Sequence, residues 1–120
     1  MEKYVYFNSR DTLFRIALSR IVYFEADKNY TNLYLTNGQK LVFTFGLGAM
    51  KTYLETSLKT DAQCFVRIGK SLIINPNYVY KIDLLKQSLQ LYDEVSGKLF
   101  TLSAAKGALR ELKELYGINK

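Results

Sequence analysis

A chain of 120 residues is the size of one domain, and 48% hydrophobic with 23% charged residues is the composition of a globular one able to bury a core without disulfides or metals. Histidine is absent, which removes histidine-based triads, histidine general bases and most catalytic zinc sites, and the single cysteine, Cys64, can build neither an internal disulfide nor a thiolate zinc site. A net charge of +6 favours an anionic partner, but the 17 cations form no consecutive tail, so any basic surface must be assembled by folding.

No apolar run is long enough to span a bilayer, and Met1-Glu2-Lys3-Tyr4-Val5 lacks the pattern of a signal peptide. With one cysteine, the expected setting is the reducing cytoplasm. Cys64 itself reads as a small buried residue in a strand-like run.

Ten tyrosines, seven phenylalanines and one proline point to β-structure. Lys3–Phe7 and Thr12–Ile16 read as two strands around the turn Asn8-Ser9-Arg10-Asp11. The run Ile21–Ala26 is almost wholly apolar, as expected of a central strand buried on both faces. Asp27-Lys28-Asn29 is a turn into Tyr30–Leu35. Asn37-Gly38 then marks a hairpin with Lys40–Phe45.

From Gly46 to Lys59 the period changes. Leu47, Met50, Tyr53, Leu54 and Leu58 form one face of a helix, with Lys51, Glu55 and Lys59 able to pair along its polar side. Thr60–Gln63 reads as a loop. Two apolar runs then flank Arg67-Ile68-Gly69-Lys70-Ser71, and Asn75-Pro76-Asn77 closes the second. Tyr78–Leu85, Ser88–Tyr92 and Leu99–Leu102 read as strands, with Leu89 and Leu91 on one face. Asp93-Glu94 is expected to be solvated charge. Ser103 is a candidate N-cap for a last helix, Ala104 to Tyr116, striped by Ala105, Ala108, Leu109, Leu112 and Tyr116 and stopped by Gly117. The whole predicts one mostly β domain, residues 1–120, sandwich- or barrel-like, with about eight to ten short strands and two short helices.

No phosphate-binding glycine motif is present; Gly46-Leu47-Gly48 is the opening of a helix. Three polar corners remain. Asp27–Asn32 sets Lys28, Asn29, Tyr30, Thr31 and Asn32 side by side. Asparagine suits adenine, lysine suits guanine or phosphate, and tyrosine and threonine suit phosphate or a thymine methyl. The second corner holds Arg67, Lys70 and Ser71, which converge only if Gly69 bends the chain. The third is Ser103 with Lys106, Arg110 and Lys113, at a helix start suited to phosphate. Each also has an ordinary reading, as a β-turn, a solvated cationic loop or a solvated helix face.

Together these corners resemble the LytTR family of bacterial DNA-binding domains. The resemblance is carried by Ile21–Ala26 with Asn29-Tyr30, by Phe65–Ile68 with Lys70-Ser71 and Ile73-Ile74-Asn75, and by Leu102-Ser103 opening the final helix. It covers about Arg20 to Tyr116. It implies an elongated, mostly β fold whose loops, not a recognition helix, enter successive major grooves. It further implies base reading by Tyr30 or its neighbours, by Lys70 and by the start of the last helix. Lys70 stands where members often carry asparagine, arginine or histidine. Ala104 and Ala105 stand where many carry arginine, so Lys106 would take over that role.

Members usually sit behind a receiver domain or a membrane segment. Strand-like sequence begins near Met1 here, so the chain resembles a stand-alone form or an isolated domain. The expectation is a sequence-specific regulator of transcription that binds double-stranded DNA, without enzymatic activity or cofactor. Its contacts are Lys28, Asn29, Tyr30, Asn32, Arg67, Lys70, Ser71, Ser103, Lys106 and Arg110, with Arg15, Arg20 and Lys81 as further phosphate candidates. The resemblance adds repeated half-sites, a homodimer on DNA, and a sensor or receiver protein as partner. The alternatives are a small barrel for single-stranded nucleic acid or RNA, and a protein-interaction module.

Overall fold

The computed structural model describes residues 2–117. Within them the order is β1 (Tyr4–Asn8), β2 (Leu13–Ala17), β3 (Ile21–Asp27), β4 (Tyr30–Leu35), β5 (Lys40–Phe43), α1 (Leu47–Leu58), β6 (Val66–Ile68), β7 (Leu72–Ile74), β8 (Val79–Asp83), β9 (Ser88–Asp93), β10 (Lys98–Ser103) and α2 (Lys106–Glu114). The ten strands form three antiparallel sheets: β1-β2, β5-β4-β3-β7-β6 and β10-β9-β8. The molecule is elongated, 50 × 32 × 26 Å.

The five-stranded sheet carries a core on each face. On one face Ile21, Phe24, Leu33 and Ile73 pack with Leu47, Met50 and Leu54 of α1 and with Val5, Phe7 and Ile16 of the β1–β2 hairpin. On the other, Val22, Tyr23, Ile68 and Ile74 pack with Leu89, Leu91, Phe100 and Leu102 of the three-stranded sheet and with Leu109 and Leu112 of α2. This is why the β3 run is apolar at consecutive positions. The β3–β4 register shifts between Ile21 and Tyr23. A bulge there turns neighbours Val22 and Tyr23 to the same face. Burial, then Tyr34 and Glu25, push the Tyr23 phenol far above the ordinary tyrosine range, so it stays neutral inside the core.

Most expected elements are present, with local differences; β5 ends at Phe43, short of the expected Phe45. The last helix begins at Lys106, not Ala104, because the β9–β10 ladder runs on to a Ser88–Ser103 pair. Ser103 is therefore a strand residue. Ala105 takes the cap position without a side-chain cap bond, and Tyr116 lies beyond the helix, its hydroxyl donating to the Pro76 carbonyl at 2.9 Å. Residues Lys59–Cys64 form a 3-10 turn, where a loop was expected to lead into a strand at Cys64. Cys64 is part-buried there, not fully buried as expected, and burial pushes its thiol up. Lys59 adopts φ 54° past the end of α1, so only Lys51 pairs with Glu55, at 3.7 Å. β8 is shorter than expected, since Tyr78 closes a 3-10 turn and Leu84 opens the next turn. Asp93 is buried, not solvated: its Oδ2 accepts the Ser96 amide at 3.0 Å, and bonds from Ser96 hold its carboxyl below the ordinary range.

Candidate nucleic-acid interface

Strand polarity brings the polar corners to one end of the five-stranded sheet. β3 ends at Asp27, which pairs with Tyr30 across the two-residue turn Lys28-Asn29, with Lys28 at φ 56°. β7 runs antiparallel to β3 with Leu72 opposite Glu25, so the β6–β7 tip, Gly69-Lys70-Ser71, emerges at the same end. The Ala26 amide donates to the Ser71 carbonyl at 2.8 Å, tying the two turns together. Tyr30 is half exposed at the edge of the first turn.

Gly69 supplies the bend that the second corner requires. Its φ is +58°, a left-handed conformation that glycine adopts at little cost, and a Cβ there would come 4.0 Å from the Ala108 Cβ. The bend brings Arg67 back over the tip, where its Nη2 donates to the Lys70 carbonyl at 3.3 Å. Arg67 thus braces the turn that carries Lys70.

The second and third corners share one open cleft of about 510 Å³. Lys70 and Ser71 form one wall, Ser103 and Ala105 a second, and Lys86 and Gln87 of the β8–β9 turn a third; no carboxylate lines it. Lys106 and Arg110 are exposed on α2 but outside the cleft. Among the described residues, ion pairs join Lys3 to Asp61, Arg10 to Asp11 and Lys51 to Glu55. Lys28, Arg67, Lys70, Lys86, Lys106 and Arg110 are in none of these.

Asn32 does not join this end. It is 4% exposed, inside β4 between Glu25 of β3 and Val42 of β5, and burial withdraws it from any surface contact. Arg20 lies at the opposite end of β3, and Arg15 stacks over the Tyr4 ring at 4.6 Å in the small hairpin. Lys81 is exposed on β8 outside the cleft. Asn75, part of the resemblance, has a structural role: its Nδ2 donates to the Ile21 carbonyl at 3.0 Å and its Oδ1 accepts the Asn77 amide at 3.1 Å.

The cleft-lining residues that sequence reasoning did not single out include Lys86 and Gln87. They read only as a turn between strands. The available signal was their likeness to Lys28-Asn29: a cation and an amide together in a hairpin turn, with one residue of each pair at positive φ, 56° for Lys28 and 51° for Gln87.

Among the described residues no group of three or more acidic or cysteine side chains could hold a metal, and no helix is long and apolar enough to cross a membrane.

In comparisons with known proteins, the model of the LytTr DNA-binding domain family matches residues 11–117, beginning upstream of the Arg20 boundary expected from the motifs. Among solved structures, the chain is similar to the LytTr DNA-binding domain of a Bacillus cereus protein described as a methyl-accepting/DNA response regulator. The TM-score is 0.62 at 19% identity, covering 96% of this chain and 97% of that one. No curated protein matches significantly. The family match spans nearly the whole chain, and the fold agrees with it: the chain belongs to the LytTR family of DNA-binding domains.

Proposed function

We propose that this chain is a sequence-specific transcriptional regulator that binds double-stranded DNA and performs no catalysis. The observation that carries the reading is the gathering of three turns and the approach to α2 at one end of the sheet, with cations there in no ion pair with a described residue. Turns of this kind are narrow enough to enter a major groove about 12 Å wide. Loops of this end of the molecule enter successive major grooves. Lys70 stands at the apex and reads a base; Ser71 and Ser103 hold phosphate; Lys106 and Arg110 extend the contact along α2. Arg67 positions Lys70 and presents its remaining donors to phosphate. Pairs of domains occupy repeated half-sites, and a sensor or receiver protein controls their access.

Selection of bound duplexes from a random pool should enrich one motif, and affinity for it should fall steeply with salt, the log–log slope being about −0.9 per neutralised phosphate. Lys70→Ala should cost about 1–3 kcal/mol on the selected site and relax preference at one base pair. Equal losses on selected and random duplex would move Lys70 to the backbone. Failure to enrich a motif, or tighter binding of single strands in competition, would overturn the reading.

A further inference from the structure

The β8–β9 turn has features that hairpin closure alone does not require. Asp83 pairs with Ser88 across Leu84-Leu85-Lys86-Gln87. The Asp83 Oδ1 accepts the Lys86 backbone amide at 3.0 Å, so this carboxylate is engaged with the backbone. The Lys86 ammonium is in no ion pair with a described residue. Gln87 holds φ 51°, the left-handed position that closes a hairpin loop built on a turn, and its amide donates to the Leu84 carbonyl at 3.3 Å. Its carbonyl accepts the Ala104 amide at 3.3 Å, which fixes the turn against the passage from β10 into α2. Both residues line the cleft that Lys70, Ser71 and Ser103 also line. Two lysines, two hydroxyls and an amide with no carboxylate between them make a seat for an anion.

Building on the DNA-binding reading above, we propose that the β8–β9 turn is a fourth DNA-contacting corner. Lys86 and the Gln87 amide hold the backbone phosphates of the strand whose adjacent bases face the Gly69–Ser71 tip. The cleft is then one continuous strand seat, with Lys70 on the base side and Lys86 and Gln87 on the phosphate side.

The test is a salt titration of duplex binding by the full chain, wild type and variants, on a selected and a random duplex. Lys86→Ala should weaken binding to both duplexes equally, make the log–log salt slope shallower by about 0.9, and so lower affinity roughly eightfold at 0.1 M salt. Gln87→Gly relieves the positive φ, so its melting temperature should hold or rise while affinity falls about three- to tenfold. A purely structural turn would move the two readouts together. Lys70→Ala, measured alongside, separates the outcomes. If it weakens binding while Lys86→Ala and Gln87→Gly leave affinity and slope unchanged, the fourth corner is overturned and the reading of the tip stands. If the wild type shows no salt-dependent duplex binding, both fall.

Discussion

The two ends of the five-stranded sheet use their polar side chains differently. At the end where β3 begins, polar groups are engaged with the fold itself. The Tyr78 hydroxyl donates to the Ser19 carbonyl, and the Ser19 hydroxyl donates to Glu2 at 3.1 Å. Asn75 donates to the Ile21 carbonyl at 3.0 Å, and the Ser96 hydroxyl donates to the Thr36 carbonyl at 2.8 Å. At the end where β3 finishes, side-chain bonds stay within or beside the turns: Arg67 donates to the Lys70 carbonyl at 3.3 Å, Asp83 accepts the Lys86 amide at 3.0 Å and Thr31 donates to the Phe45 carbonyl at 2.8 Å, while Lys28, Lys70 and Lys86 are in no ion pair with a described residue. A cation with no internal partner contributes little to stability and is fully available to a phosphate. The polar groups of one end hold the sheet together; the other end keeps lysines without an ion pair to any described residue.

That contrast makes separable predictions. The largest effect should come from the structural end. Asn75→Ala leaves the buried Ile21 carbonyl without its donor and should lower unfolding free energy by about 1–3 kcal/mol, read by denaturant titration. Its folded fraction should bind DNA with an unchanged salt slope. A shallower slope would mean that the structural end also touches DNA.

Gly69→Ala comes next. The added methyl finds room beside Ala108, so its cost is the left-handed backbone alone, about 1–2 kcal/mol. If the tip relaxes to avoid that cost, Lys70 loses its place, and specific affinity should fall more than affinity for random duplex. The smallest effect should be Arg20→Ala, an exposed cation at the structural end, within about 0.5 kcal/mol in both stability and binding.

Much of this was legible in the sequence because local chemistry and tertiary packing agree. The apolar run Ile21–Phe24 is buried on both faces, and the stripe of Leu47, Met50, Leu54 and Leu58 is the buried face of α1. Gly38 at φ 86° closes the Asn-Gly hairpin. Where they conflict, packing prevails. Ser103 has the chemistry of an N-cap, but pairing with Ser88 keeps it in the sheet and delays the helix to Lys106. Asn32 has the chemistry of a DNA contact, but in β4, flanked by β3 and β5, it is covered. The cleft could not be read at all. Lys70, Lys86 and Ser103 are far apart in sequence, and only the pairing of β8, β9 and β10 against β6, β7 and α2 brings them together.

The most direct test of the contrast between the ends is a titration of the chain with its selected duplex, followed by backbone amide chemical shifts. Shifts should cluster at Lys28–Tyr30, Gly69–Ser71, Lys86–Gln87 and Ser103–Lys106, with Ser19–Ile21 and Asn75–Tyr78 unmoved. Shifts centred on Ser19–Ile21 and Asn75–Tyr78, with the turns silent, would contradict the account.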